Sequence, residues 1–280
     1  MGCPYLAGIR FANKEEYKQV IVQAAKSLSS RFRPNVGVIQ SWDVDKGWQK
    51  KRGWKCPVII DNMMNLELLF EASLFSGDST YYNIATKHAN VTLANHFRED
   101  NSSYHVVDYD PESGNVRSRQ TAQGYSDASA WARGQAWGLY GYTVCYRYTK
   151  NNKYLEQAGK IASFIFNNKN LPQDLVPYWD YNTPDIPNSP RDASAAAITA
   201  SALYELFEYT NKKDYVVKAD IILESLSGQN YQAKLGENGN FILMHSVGSL
   251  PHGNEIDVPL NYADYYYLEA LLRKKELSSK

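Results

Sequence analysis

The sequence predicts an all-α fold of stacked helical hairpins, a two-layered α/α barrel in its closed form, and three observations predict it. One unit, an apolar helix followed by a polar turn and a second helix opening with Tyr, recurs four times. Each second helix follows a more apolar partner. The long segments between repeats are rich in Trp, Gly and Pro, the composition of loops rather than of further helices. A single hairpin cannot bury its apolar face alone, so such units stack side by side into an open solenoid or a ring.

Taken in order, the first turn is Asn13-Lys14-Glu15-Glu16-Tyr17 and its helix runs to Ala24. Its expected partner is only the stub 4–11, too short for a stable isolated helix. The sequence therefore reads as starting inside a repeat. The second copy pairs a helix over 62–75 with one opening at Tyr82, and the third pairs 128–148 with one opening at Tyr154. The fourth pairs 193–209 with one opening at Tyr215, and a last apolar helix covers 262–273. The four tyrosines lie roughly 60 to 70 residues apart, the length of a two-helix repeat with a long loop. Of the loops, 32–57 carries Trp42, Trp48 and Trp54, and 104–118 alternates like a β-hairpin around a turn at Asp110-Pro111-Glu112-Ser113-Gly114. The stretch 172–190 holds five prolines and is expected to be irregular.

Composition narrows the class of ligand. Thirty basic residues balance thirty acidic ones, so no basic field points to nucleic acid or to an anionic membrane, and a small molecule or glycan is the expected partner. Cys3, Cys56 and Cys145 form no CxxC or Cys/His cluster and read as free thiols. No apolar run has the ~18 residues of a membrane span, and residues 1–11 lack the pattern of a secretory signal. The 22 Tyr, 6 Trp and 9 Phe supply rings that pack cores and also stack on sugar faces.

Two segments could carry chemistry. In Val58-Ile59-Ile60-Asp61-Asn62 a carboxylate stands where an apolar extended stretch turns into a helix. Asp61 is there either as an N-cap or as a general acid whose pKa is raised by apolar surroundings, and the two roles are compatible. In the run from Gln123 to Trp137, Asp127 could cap a helix with Trp131 in its first turn and Arg133 and Trp137 on one face. An Arg between indoles suits a sugar carboxylate; a core Trp pair with an Arg salt bridge explains the same residues. Gly134 inside that helix points to a close approach of some other group. His105, in the hairpin, is structural or catalytic, while His88 and His96 are expected only to pack or to face solvent. No metal-ligand spacing, nucleophile elbow or phosphate-binding Gly loop is present in the sequence.

The strings IIDNMMNLELL, YHVVDYDPESG, TAQGYSDASAWARGQAWGLYGY, LPQDLVPYWDY, RDASAAAITASALYEL and EIDVPLNYADYYYLEALLR, in this order, resemble glycoside hydrolase family 88, the unsaturated glucuronyl hydrolases. The resemblance runs from Tyr17 to Arg273 and implies one catalytic domain over 1–280, an (α/α)6 barrel of twelve helices. It implies further N-terminal barrel helices and a second active-site Asp before residue 1, so the barrel is expected to be incomplete at that end. The implied substrate is an oligosaccharide ending in a Δ4,5-unsaturated uronic acid, hydrated at its vinyl ether with no metal or organic cofactor. Carried over by motif, Asp61 is the implied general acid/base. His105, Gln123 and Arg133 would bind polar and carboxylate groups, Trp42, Trp131 and Trp137 would stack, and Tyr262 would line the site. The pectin-directed unsaturated rhamnogalacturonyl hydrolases and a non-catalytic glycan-binding barrel are the alternatives.

Overall fold

The computed structural model describes residues 2–12 and 14–279. Asn13 of the first turn lies outside the described residues, as does the side chain of Cys3. Cys56 and Cys145 are buried free thiols.

The predicted hairpins are present. Helices α4 (Leu66–Ser76) and α5 (Ser79–Asn95), α6 (Ala132–Thr149) and α7 (Asn152–Asn167), and α8 (Ala193–Thr210) and α9 (Lys213–Leu226) form three of them, and α10 (Asn261–Ser278) follows α9. The polar turns work by a shared device. The first helix of each hairpin ends on a residue in the left-handed region, Gly77, Lys150 or Asn211. In two of them the next side chain, Asp78 or Asn151, caps the second helix by accepting from the amide of Thr80 or Lys153.

The stub before the first turn is helical. Helix α1 (Gly2–Ala12) packs on α2 (Glu15–Ser29) and α4, buries Leu6, and bonds Arg10 to Glu67 of α4 at 2.6 Å. Eleven residues are marginal alone, and packing of the apolar face supplies what propensity does not.

Helices α4, α6, α8 and α10 lie side by side, each against the next, while α5, α7 and α9 each cover one of them. The two central helices are buried almost all round. Small residues permit this: an added Cβ at Gly141 would lie 2.4 Å from Cβ of Met63, and one at Gly134 only 2.9 Å from the Trp131 ring and 3.1 Å from Ile60. Gly134 thus meets the close approach expected from its place in the helix, with the strand-to-helix corner that carries Asp61.

Among the described residues, seven short strands lie in the segments that connect the helices. Strands β1 (Phe32–Arg33) and β2 (Val38–Ile39) pair, and β3 (Cys56–Ile59), β4 (Val106–Tyr109) and β5 (Val116–Gln120) form an antiparallel sheet in the order β3-β4-β5. The predicted hairpin is β4–β5, with Val106 opposite Gln120 and Val107 opposite Arg119. A further hairpin, β6 (Ser246–Ser249) with β7 (Asn254–Val258), was not foreseen. Its backbone places His245, Glu255 and Asp257 at positive φ, a conformation that His and Asp adopt more readily than Glu. No helix among the described residues is long and apolar enough to cross a membrane.

Candidate active site

The helices α6, α8 and α10 present their N-terminal ends together, and the corner leading into α4 joins them. At that corner β3 leaves the sheet: the Ile60 amide donates to the His105 carbonyl at 3.0 Å, and the chain enters a 3-10 turn over Ile60–Asn65 before α4. Asp61 does not act as a helix cap. Ile59 precedes the 3-10 turn and Asn65 precedes α4, and neither start has a side-chain cap. The Asp61 side chain keeps 22% of its exposure, yet its Oδ2 is buried and has no hydrogen-bond partner. Burial pushes its pKa up to about 6, against the nearby Arg133 charge and its own amide, which pull it down.

Nε2 of His105 lies 3.6 Å from that orphan oxygen. On the far side of the ring, Nδ1 accepts from the backbone amides of Ala122 and Gln123 at 3.0 and 3.1 Å. Two donors into Nδ1 assign the proton to Nε2. Burial first, and then the Arg133 charge, lower the His105 pKa to about 3, so the ring is neutral near pH 7. The outcome is a fixed N–H beside an acid that holds its proton unusually well. His88 and His96 pack, as expected: both are fully buried, and His88 accepts from the Ile39 amide.

Arg133 sits one residue inside α6, with Trp131 immediately before the helix rather than in its first turn. Asp127 caps no helix; its carboxylate accepts from the Thr121 amide at 2.7 Å. The Arg133 guanidinium is 3% exposed, pairs with Asp192 at 2.8 Å, and donates to the carbonyls of Val247 and Gly248. Asp192 in turn caps α8. The fork read from the sequence as a carboxylate clamp therefore already holds a carboxylate of the chain itself, because a buried guanidinium needs its partners within the fold. Gln123 is similarly engaged, donating its side-chain amide to the Gly248 carbonyl at 2.8 Å.

Trp131 and Trp137 are buried. Trp131 lies between the His105 ring (4.6 Å) and the Arg133 guanidinium (4.5 Å), and Trp137 packs edge-on against Tyr266. Tyr262, partly buried in the first turn of α10, reaches both Trp137 and Arg133, at 6.1 and 5.5 Å. Trp42 stands on the open side, edge-on to His105 at 6.1 Å and stacked on Trp54 at 5.5 Å. All eight residues singled out from the sequence thus join in one continuous set of contacts around Asp61. Sequence reasoning missed Asp192 and the β6–β7 carbonyls. Asp192 had a usable signal, an Asp followed by Ala-Ser at a helix start; a carbonyl carries none.

The family model for Glycosyl Hydrolase Family 88 matches residues 1–273. The chain belongs to that family. It is 53% identical over 268 residues to an unsaturated glucuronyl hydrolase of Formosa agariphila, covering 96% of this chain and 66% of that protein. It is 36% identical to an unsaturated chondroitin disaccharide hydrolase of Streptococcus pyogenes, covering 92% of this chain and 64% of that one. The chain therefore spans just under two thirds of the length of these relatives. Among solved structures, an unsaturated glucuronyl hydrolase specific for heparin superposes with a TM-score of 0.94 at 48% identity, over 99% of this chain and 73% of that one. The fold is the helical-hairpin architecture of these (α/α)6 barrels, as the repeat predicts.

Proposed function

We propose that this chain carries the acid/base centre of a hydrolase that removes a Δ4,5-unsaturated uronic acid from the end of a glycosaminoglycan oligosaccharide by hydrating its vinyl ether. The observation behind this is the state of Asp61: a partly exposed carboxyl with a pKa near 6, one oxygen orphaned beside a neutral His105 Nε2–H. Such a group still holds a proton near neutral pH and can accept one back, which suits a general acid/base. Family membership and the similarity to enzymes named for unsaturated uronides supply the substrate class.

In the reaction, Asp61 gives its proton to C4 of the unsaturated ring, and positive charge spreads over C5 and the ring oxygen. Water adds at C5 while the Asp61 carboxylate takes up the water's proton, so the residue ends as it began. The C5 hemiketal then opens to a C5 ketone, leaving C1 as a hemiacetal, and collapse of that hemiacetal to the aldehyde releases the following sugar as its alcohol. This differs from the two-carboxylate attack on the glycosidic bond used by most glycosidases. The neutral His105 ring presents its Nε2–H 3.6 Å from the Asp61 carboxyl without bonding it, and Trp42 offers the more accessible indole face. Arg133, paired with Asp192, acts on Asp61 through its field rather than as the substrate clamp. Gln123 and Tyr262 shape the wall, with Trp131 and Trp137 behind them.

The test is direct. The conjugated double bond absorbs in the ultraviolet, so turnover of an unsaturated chondroitin or heparin disaccharide erases that band. Loss of the band with this chain, and its persistence with Asp61→Asn, is the expected result. A folded Asp61→Asn variant with unchanged turnover, or turnover of unsaturated pectin fragments alone, would overturn the reading.

A further inference from the structure

Nδ1 of His105 is kept free of a proton by two amides that belong to no helix or strand. Ala122 and Gln123 lie in the irregular segment 121–130, which joins β5 to Trp131. The Thr121 and Gly124 amides are taken within the segment, by Asp127 at 2.7 Å and by the Thr121 hydroxyl at 2.8 Å. Its central part is held from outside. The Tyr125 amide and the Ser129 hydroxyl both donate to Oδ2 of Asp180, at 2.9 and 2.7 Å, and the Ala130 amide donates to the Asn182 side chain at 2.9 Å. Asp180 is itself fixed, with Oδ1 accepting from the Asn182 amide at 2.9 Å. Its chain neighbours bond the end of the segment: the Ala132 amide donates to the Trp179 carbonyl and the Tyr181 amide to the Ala130 carbonyl, each at 3.0 Å. Asp180 is fully buried, and three neutral donors meet its two oxygens. A carboxylate accepts at both oxygens, whereas an amide in its place must turn an NH2 towards one of these donors.

The hold matters because Nε2 of His105 faces the buried Oδ2 of Asp61 at 3.6 Å. A ring able to carry two protons at that distance would take the one on Asp61 and form an imidazolium–carboxylate pair, which lowers a carboxyl. The second proton would have to sit on Nδ1, where the Ala122 and Gln123 amides already point. The other charged and titratable groups around the ring weigh against a charge there too. They are Arg133 of α6, His96 at the end of α5, Arg52 just after the short helix α3 (Gly47–Lys51) and His252 between β6 and β7. The segment thus decides between a protonated acid beside a neutral ring and an ion pair with no acid proton to give to carbon.

We infer that Asp180 is a positioning residue for the acid: by holding the segment 121–130 it keeps two amides on Nδ1 of His105 and so bars the ring from taking the Asp61 proton. The inference rests on the proposed function only in treating Asp61 as the proton donor.

The ring is read directly by nitrogen-15 NMR of the full chain, which separates protonated from bare imidazole nitrogens, with the His105 signals identified by their loss in His105→Gln. Native His105 should keep its proton on Nε2 alone from about pH 7 down to about pH 5, since burial holds its pKa at about 3. In Asp180→Asn, Nδ1 should gain a proton within that range. The falling limb of the pH–rate profile, followed by loss of the ultraviolet band, should move about one unit to lower pH, the shift of a carboxyl given a cationic neighbour. Above that limb turnover should drop about tenfold while KM changes less than about twofold. Ser129→Ala removes one of the three donors, should act in the same direction more weakly, and replaces Asp180→Asn as the test if that chain does not fold. Glu205→Gln, placed at the far end of the helices, should leave the ring as in the native chain. An Nδ1 that stays bare throughout in the folded variant overturns the inference. So does a protonated Nδ1 in Glu205→Gln, which would make the ring a reporter of stability alone. Protonation of Nδ1 in Asp180→Asn with an unmoved limb upholds the hold of Asp180 on the ring and contradicts the proposed function instead, since Asp61 would then not be the donor.

Discussion

The two ends of the inner helices treat buried carboxylates in opposite ways. At the C-terminal ends of α6 and α8, Glu205 is held by Nε and Nη2 of Arg147, each at 2.6 Å, and by Arg273 at 2.7 Å, while Nη1 of Arg147 binds Glu67. Burial alone would raise Glu205, but Arg273 and Arg147 outweigh it and hold the group well below the usual carboxylate range. At the N-terminal ends, burial is again the largest influence on Asp61, but Arg133 is paired with Asp192 rather than bonded to Asp61, its field offsets only part of the burial, and the carboxyl rises to about 6. A cavity of about 550 Å³ opens at the C-terminal end, lined by Arg10, Arg147, Glu205, Glu269 and Arg273. Two of its carboxylates, Glu205 and Glu269, are already committed to arginines. Whether a buried carboxylate becomes a catalyst or a strut is decided by its partner, not by its depth.

The comparison can be broken at either end. Asp61→Asn should cost about a thousandfold in turnover, the scale of a lost general acid, measured as the rate of disappearance of the ultraviolet band. In the native chain that rate should fall as pH rises through about 6, because the proposed mechanism draws on the protonated form of Asp61. The same substitution should stabilise the fold near pH 7. A carboxyl whose folded pKa is raised contributes most below its unfolded value and loses that contribution as pH climbs through about 6. An amide escapes that loss, and the variant should melt higher than the native chain at pH 7 but not at pH 4.

At the other end, Glu205→Gln should destabilise by about 3 kcal/mol in urea unfolding, since it leaves Arg147 and Arg273 buried without their shared anion. The smaller effects test the background. His88 and His96 are held neutral by burial, with pKa values lowered to about 3 and about 4, and His105 to about 3. The unfolded chain binds protons at these positions first, so stability should be intact above pH 6.5 and fall as pH drops towards 4. The slope should be about 1 kcal/mol per unit for each ring. Last, Arg133→Met combined with Asp192→Asn removes the cation without stranding its partner. It should move the limb of the pH–rate profile to higher pH by less than about one unit, since Arg133 is what holds Asp61 down.

The helical layout was readable because it rests on short-range patterns. Apolar periodicity, the Tyr that opens each second helix, and turn residues such as Gly77-Asp78 and Asn151 act within a few neighbours of themselves. Asp61, Trp131, Arg133 and Trp137 stood out for a related reason, since they occur in runs whose residue types are unusual together, whereas Trp42, Gln123 and Tyr262 were singled out only through the resemblance to family 88. What misled was local reasoning about ends. The 4–11 stub gains its helix from α2 and α4, and Asp127 caps a loop rather than α6.

By itself, then, the sequence determined a barrel of helical hairpins, the strand-to-helix corner bearing Asp61, and the cast of rings and polar groups around it. Tertiary structure decided what each member does. It paired Arg133 with Asp192 from 59 residues away and assigned the His105 proton to the Nε2 that faces Asp61 by placing two amides on Nδ1. Those outcomes depend on which charges meet across the fold and on how much water they keep, and the energies of both are set by distances that no local pattern of residues encodes.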